Sequence, residues 1–304
     1  MQFDLLSEEK DASMKTGVIP IEIPVVFFHV GGNQDYFKYC VNKTAVKNIV
    51  YLIGDESNKN EFTDNPNVVF FHVDDLVSNE LQDFKEYFVN YSTNDYTYEK
   101  NCFLRVFYMK TLIEKTGKEW VFHSDSDSII FEDVSKVFEE QRYVAYSIQK
   151  DNNKFHMASS IHNALLNINF CNVFIELCID VYKTKTKYNL IHDKVEWHNT
   201  TGTPGGICDM TFYHLIHSEN LIDPVIDLNI PINLRGEYGV FDHNVTISYG
   251  YKCENTYVME NGNKKIIKNI HNENMFVTLD GFELKAFSVH LQGPAKYSFS
   301  SFNL

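Results

Sequence analysis

One short segment of this chain concentrates acidic side chains where they could do chemistry: Phe122-His-Ser-Asp-Ser-Asp-Ser-Ile-Ile130. The residues leading into it, Lys118-Glu-Trp-Val-Phe-His123, read as a short buried strand. In an extended chain, residues two apart point the same way, so Asp125 and Asp127 present two carboxylates to one side of the strand's end. Paired hard oxygens suit Mg²⁺ or Mn²⁺, ions that keep coordination positions for the phosphates of a substrate. This is the only Asp-x-Asp in the sequence, and the carboxyl end of a strand is where open α/β sheets bind ligands. The plain alternative is a polar turn after a strand. A second candidate lies far along the chain, His290-Leu-Gln-Gly-Pro-Ala-Lys296, directly after the apolar run Ala286-Phe-Ser-Val289. That spacing offers an imidazole ligand, a glycine that lets backbone approach an oxyanion, and an ammonium to neutralise a phosphate. Its alternative is a strand end with an incidental histidine and lysine.

The elements needed to position these groups follow from the apolar runs. Pro24-Val-Val-Phe-Phe-His-Val30 is continuously apolar and ends at Gly31-Gly32-Asn33, a buried strand entering a loop. Unbroken rather than alternating apolarity predicts a sheet covered on both faces. A helix from Asp35 to Asn48, a strand Ile49–Ile53, and a third strand Asn67–Val73 continue an α/β pattern. A helix over Lys100–Thr116 precedes the acidic strand, Tyr143–Ile148 reads as a further strand, and Ile161–Tyr182 as a long helix. The polar, glycine-bounded segment Thr184–Thr203 reads as a mobile loop over a site, and a helix begins at Asp209. From Pro231 onward the texture becomes short aromatic-rich strands with turn signals at Glu260-Asn-Gly-Asn263 and Asp280-Gly281, which predicts hairpins. The expectation is one unit: an α/β core over residues 24–230 and a β-rich C-terminal extension over 231–304.

Composition narrows the function. With 304 residues, 44% hydrophobic and 22% charged, the chain is long enough for a substantial core. The formal net charge is −14, from 27 Lys and Arg against 41 Asp and Glu, which argues against nucleic acid as a partner. An anionic substrate then needs local help, from a metal or from a few placed cations. The six cysteines show no paired metal spacing and read as free thiols of a reducing compartment. The first residues carry no secretory signal pattern, and the most apolar stretch, Asn163–Tyr182, is too polar to span a bilayer, so the expected location is cytoplasmic.

Asp125-Ser126-Asp127 after a strand, together with His290-x-x-Gly293-x-x-Lys296, resembles the metal-dependent GT-A glycosyltransferases, most closely the retaining glycogenin and galactosyltransferase-like group, family 8. The likeness runs in element order from about Pro24 to Lys296. It implies a Rossmann-like, mostly parallel sheet flanked by helices, with Asp125, Asp127 and His290 holding Mn²⁺ or Mg²⁺. It also implies that Asp125, Ser126, Gly293 and Lys296 face the diphosphate of a nucleotide-sugar donor. Arg105 resembles the arginine these enzymes direct at the donor; its apolar helix neighbours independently demand an anionic partner, and a structural salt bridge to Asp133 or Glu99 is the competing reading. The loop Val30–Tyr36 corresponds to the base-holding place, where Tyr36 stacks on uracil and Asn33 hydrogen-bonds, although Gly31-Gly32 replaces the usual Ala-Asp. Ordinary helix-start packing is the alternative for Tyr36. Gly205-Gly-Ile-Cys-Asp-Met-Thr211 resembles the segment that faces the reacting centre, which makes Asp209 the catalytic-face carboxylate or, more plainly, a helix-start acid. Ser159, Ser160, His162 and Asn163 are weak donor candidates, while His29, His72 and His123 read as core residues.

The expected reaction moves a hexose from a nucleoside diphosphate sugar, UDP by default, to an acceptor hydroxyl or glycan, with retention. Charge on the leaving diphosphate is met by metal and Lys296. An inverting course would use Asp209 as base. The rivals are a nucleotidyltransferase, which would carry a cation in its first loop where Val30-Gly-Gly-Asn-Gln-Asp has none, and a catalytically silent glycan-binding protein on the same fold. The sequence does not fix the oligomeric state.

Overall fold

The computed structural model describes residues 22–304 except 141, 151, 152, 154, 235 and 303. The strongest apolar runs become the centre of a seven-stranded sheet. Its strands are β1 (Val25–His29), β2 (Val50–Gly54), β3 (Val68–His72), β4 (Trp120–Ser124), β6 (Val144–Ser147), β7 (Ser160–Asn167) and β8 (Val225–Asp227), in the order β3-β2-β1-β4-β7-β6-β8. β7 alone runs against its neighbours; the other pairs are parallel. The sheet is therefore mostly parallel. Central β1 and β4 are buried on nearly every residue because helices cover both faces, whereas β3, with one neighbour, is more open. In register, Val25–Phe27 lie beside Phe122–Ser124, so the ends of β1 and β4 open on the same edge.

The covering helices are α1 (Asp35–Thr44), α2 (Asn79–Tyr87), α3 (Tyr96–Thr116), α4 (Val134–Val137), α5 (Ile168–Cys178), α6 (Asn189–Thr201) and α7 (Asp209–Ser218). Helix α3 starts where the Asp95 carboxylate accepts from the amides of Thr97 and Tyr98, and it stops at Gly117, whose φ of 65° suits a residue without Cβ. Its inner face packs on α5 and α7 through an aromatic cluster in which Phe103 touches Phe84, Phe88, Phe174, Tyr182 and Phe212. This cluster holds the amino ends of α3 and α7 at the same edge as the carboxyl ends of the parallel strands.

The last part of the chain is β-rich, as its turn signals suggest. β9 (Ile232–Leu234), β10 (Glu237–Val240), β13 (Ile266–Lys268), β14 (Asn274–Val277) and β15 (Glu283–Ala286) form a second sheet. The pair β11 (Met259–Glu260) and β12 (Asn263–Lys264) turns at Asn261-Gly262, and β14 turns into β15 around Asp280-Gly281. The last strand, β16 (Ser288–His290), leaves this sheet and pairs antiparallel with β5 (Ser128–Ile130), directly after the acidic segment.

Two sequence expectations are overturned. The long helix over Ile161–Tyr182 is a strand, β7, followed by α5: Ser160–Leu166 is buried throughout between β4 and β6, and the Asn167 side chain caps the helix by accepting from the Phe170 amide. The polar residues Ser160, His162 and Asn163 of β7 are enclosed in the sheet instead of marking a solvent face, so no period tells a buried strand from a buried helix. The loop expected over Thr184–Thr203 is largely the helix α6, which buries Ile191, Lys194 and Val195 and leaves its other residues half-buried or exposed. Among the described residues no helix is long and apolar enough to cross a membrane. Phe103→Ala removes the ring on which the α3–α5–α7 packing converges, and urea unfolding should show a loss of about 3–5 kcal/mol; a loss below about 1 kcal/mol would mean the cluster is not what holds these helices.

Candidate active site

The acidic segment acquires its geometry from hydrogen bonds on both sides. β4 ends at Ser124, the Asp125 amide donates to the His162 carbonyl on β7 at 2.9 Å, and the Ser128 amide closes a turn onto the Asp125 carbonyl at 2.9 Å. β5 then pairs with β16 so that His290 stands opposite Ser128, and the Leu291 amide donates to the Asp127 carbonyl at 2.9 Å. As a result Asp125, Asp127 and His290 each place a ligand atom within 4.8 Å of the others. Two carboxylates and an imidazole at that separation make a donor set for a divalent cation.

Each carboxylate also has a cation. Buried Asp127 takes His290 Nε2 at 3.2 Å on one oxygen and Lys296 Nζ at 3.3 Å on the other. Arg105, near the middle of α3, reaches Asp125 Oδ1 at 2.6 Å with one guanidinium nitrogen and Asp209 Oδ2 with the other. Asp209 also accepts from the Tyr213 hydroxyl at 3.0 Å and the Met210 amide at 2.9 Å. Burial pushes the Asp125 pKa up, but Arg105, then His123, His290 and His162, outweigh it and hold the carboxyl well below its usual range. For His290 burial acts downward, yet the Asp127 charge and hydrogen bond, then Asp125 and the His243 carbonyl, push its pKa up to about 9. Lys296 is likewise raised, burial being outweighed by Asp127.

A supporting layer, invisible to the sequence reading, orients His290. Its Nδ1–H donates to the His243 carbonyl at 2.6 Å, which leaves Nε2 facing Asp127. Its amide donates to Asp242 Oδ2 at 3.0 Å, and the other Asp242 oxygen accepts from buried Lys264 at 2.6 Å, which also reaches Glu254 at 2.8 Å. The Asp242 carbonyl receives His162 Nε2–H and Asn163 Nδ2–H, and the His162 ring stacks on His290 at 4.6 Å. Burial and then the neighbouring His290 charge hold His162 well below its ordinary pKa, so the two stacked rings do not both carry charge. Buried charged residues resemble surface residues in a sequence, and only the fold shows which are enclosed.

Of the residues singled out from sequence, Asp125, Asp127, His290, Lys296, Arg105 and Asp209 meet in one place. Arg105 pairs with neither Asp133 nor Glu99, because α3 aims it at the strand end rather than along its own surface. Tyr36 lies under Lys296, whose ammonium is 5.3 Å from its ring centre, and edge-on to Tyr297 at 6.1 Å. Asn33 is held further round by the Ser57 carbonyl and Glu61, and its Oδ1 is buried with no hydrogen-bond partner. Ser126 sits at the corner of the acidic turn, and Gly293, with φ of 64°, opens the 3₁₀ run carrying Lys296. Ser160, His162 and Asn163 lie on β7, the strand that runs into α5. His29 and His123 are buried and partnered, by Gln34 and the Ile161 carbonyl.

No protein-family model matches the chain, and no curated protein matches it. Among solved structures, mouse xyloside xylosyltransferase 1 is similar with a TM-score of 0.43 and 12% identity, over 69% of this chain and 86% of that one. An active-site mutant of LgtC gives 0.38 and 12% over 68% and 73%. The glycosyltransferase GlyE of Streptococcus pneumoniae gives 0.38 and 14% over 68% and 45%. At that level of likeness, what this site does must be read from its own residues.

His290 binds its proton more tightly folded than unfolded, so its contribution to stability is whole below pH 6.5 and is lost as pH rises through about 9. At 1.36 kcal/mol per pKa unit this amounts to about 3 kcal/mol. Unfolding of metal-free protein followed by urea from pH 6 to 10 should show that decline, and His290→Gln should flatten it; an equally steep decline in the variant would assign it elsewhere. Lys264→Met leaves two buried carboxylates without their cation, and the same measurement at pH 7 should show a loss of about 3–5 kcal/mol.

Proposed function

We propose that this chain is a metal-dependent glycosyltransferase that moves a hexose from a nucleoside diphosphate sugar to an acceptor hydroxyl. The observation that carries the reading is the convergence of Asp125, Asp127 and His290 within 4.8 Å, beside Lys296, at the carboxyl edge of a mostly parallel sheet. The donor set fits Mn²⁺ or Mg²⁺, because it joins two hard carboxylates to an imidazole whose Nε2 is turned inward by the His243 carbonyl. Those three residues would hold the ion, which when bound supplies Lewis-acid stabilisation of charge on the leaving diphosphate. The core over 24–230 and the extension over 231–304 would act as one unit, since the ligands come from both.

The remaining roles follow from charge and reach. Lys296 stands beside the metal ligands and can meet a phosphate oxygen. Gly293, whose added Cβ would meet nothing within 4 Å, leaves open space before Lys296 for an anion. In this reading Asp125-Ser126 borders the donor, Tyr36 offers a ring face to the base, and the partnerless Asn33 Oδ1 is an acceptor that a base N–H such as that of uracil would satisfy. In the transfer, the bond from the anomeric carbon to the diphosphate oxygen breaks with its electron pair on the diphosphate, and the acceptor oxygen bonds to that carbon. The acceptor proton passes to the departing phosphate oxygen, on the course that retains configuration. Asp209, already accepting from Arg105, Tyr213 and the Met210 amide, is better placed to stabilise positive charge on the sugar than to take a proton. Arg105 fixes the distance between Asp125 and Asp209 and so positions both.

Thermal unfolding with Mn²⁺ and a panel of nucleoside diphosphate sugars should show a shift with at least one donor, as binding to the folded state requires. The shift should need the metal and vanish in Asp127→Ala, and the same donor should be slowly hydrolysed. If no nucleotide sugar moves the wild-type midpoint with Mn²⁺ or Mg²⁺ present, the reading is wrong.

A further inference from the structure

Tyr297 follows Lys296 in the 3₁₀ run Gly293–Ser301 and is 76% exposed, although the residues around it turn inward: Ala295 is buried, and Phe299 packs on Tyr39 with ring centres 4.9 Å apart. The run is held on both sides. Before it, the Leu291 amide donates to the Asp127 carbonyl at 2.9 Å, and Gln292 Oε1 accepts from Asn244 Nδ2 at 2.7 Å. After it, the main-chain oxygen of Leu304 accepts from the Tyr39 hydroxyl at 3.1 Å and from Lys43 at 2.9 Å. The backbone leaves helical geometry at Ser298, between exposed Tyr297 and packed Phe299. Tyr297 is therefore presented outward on a segment anchored at either end.

A single exposed aromatic means little by itself. The neighbours of this one give it meaning. The Lys296 ammonium, which reaches Asp127 Oδ2 at 3.3 Å, lies 6.0 Å from the centre of the Tyr297 ring and 5.3 Å from that of Tyr36. The two rings meet at 6.1 Å with their planes at 86°. That contact leaves no slot between them, and Lys296 already lies over Tyr36, so the open ring face in this corner belongs to Tyr297. A nucleoside diphosphate joins its phosphates to its base through a single ribose, so a ring that carries the base has to stand one sugar away from the cation that meets the phosphates. Tyr297, next to Lys296 in the chain and beside it in space, meets that condition. Stacking on an aromatic side chain needs only a π-face, whichever base presents it.

We propose that Tyr297 is the stacking platform for the donor's base, which lies flat on the solvent-facing side of its ring and, the two tyrosine planes being perpendicular, turns its edge to Tyr36. This rests on the transferase reading above and adds to it a donor-contacting residue that strengthens nucleotide binding without selecting among bases.

The test titrates the whole protein, with Mn²⁺, by calorimetry against UDP, CDP, dTDP, ADP, GDP and inorganic pyrophosphate. Wild type should bind at least one nucleoside diphosphate more tightly than pyrophosphate. Tyr297→Ala, at an exposed position, should weaken each nucleoside diphosphate that binds by about tenfold or more and leave pyrophosphate within about twofold, while Tyr297→Phe and Tyr297→Trp stay close to wild type. Unchanged nucleotide affinity in Tyr297→Ala would overturn the assignment. So would an equal loss for nucleotide and pyrophosphate, which would place the effect on Lys296 and the metal, or a loss in Tyr297→Phe as large as in Tyr297→Ala, which would place it on the hydroxyl. The wild-type titrations separate the failures: nucleotides that bind wild type and Tyr297→Ala alike remove the platform alone, and a wild type that binds none of them removes the transferase reading with it.

Discussion

Three carboxylates, Asp125, Asp127 and Asp209, are brought to one edge of the sheet in a protein that is already strongly acidic, and the structure has to neutralise them there. Each cation comes from a different element: Arg105 from the middle of α3, His290 from the end of β16, Lys296 from the 3₁₀ run beyond it. The packing of α3 against α5 and α7, the pairing of β16 with β5, and the burial of Lys264 under His290 are all arrangements that deliver or hold one of these charges. Mutual repulsion among the carboxylates would otherwise open this edge, so the pairing of these charges also sets the local architecture.

The arrangement has an internal logic of substitution. Asp127 is satisfied by His290 and Lys296, two groups that would themselves face the ion and the phosphates in the proposed complex. In that complex, binding would exchange one set of charge contacts for another among groups the fold already brings together. Such preorganisation keeps the reorganisation cost of binding low.

What the sequence disclosed depends on how local each signal is. The acidic turn was legible because two aspartates two apart after an apolar strand define a direction on their own, and His290 and Lys296 were legible for the same reason. The strands β1, β2, β3 and β4 followed from their apolar runs, whereas their order in the sheet emerged only from the fold. Arg105 was recognisable as needing an anion, but its true partners, Asp125 and Asp209, lie 20 and 104 residues away, and nothing nearby in sequence distinguishes them from Asp133 or Glu99. The strand β7 read as helix because a stretch buried on every side has no polar face to reveal its period. Asp242, Glu254 and Lys264 gave no signal at all, since enclosure of a charge is a property of the whole fold.

The pairing of β16 with β5 also fixes a sequence of events. Lys296 meets Asp127 across 169 residues of intervening chain, so the acidic edge of the sheet can be assembled well before its histidine and lysine have left the ribosome. During that interval Asp127 lacks the two cations that pair with it, whereas Asp125 already has Arg105 before it in the chain. The cationic half of this edge is therefore supplied last in synthesis, by residues 288–296, which pair with the segment following β4.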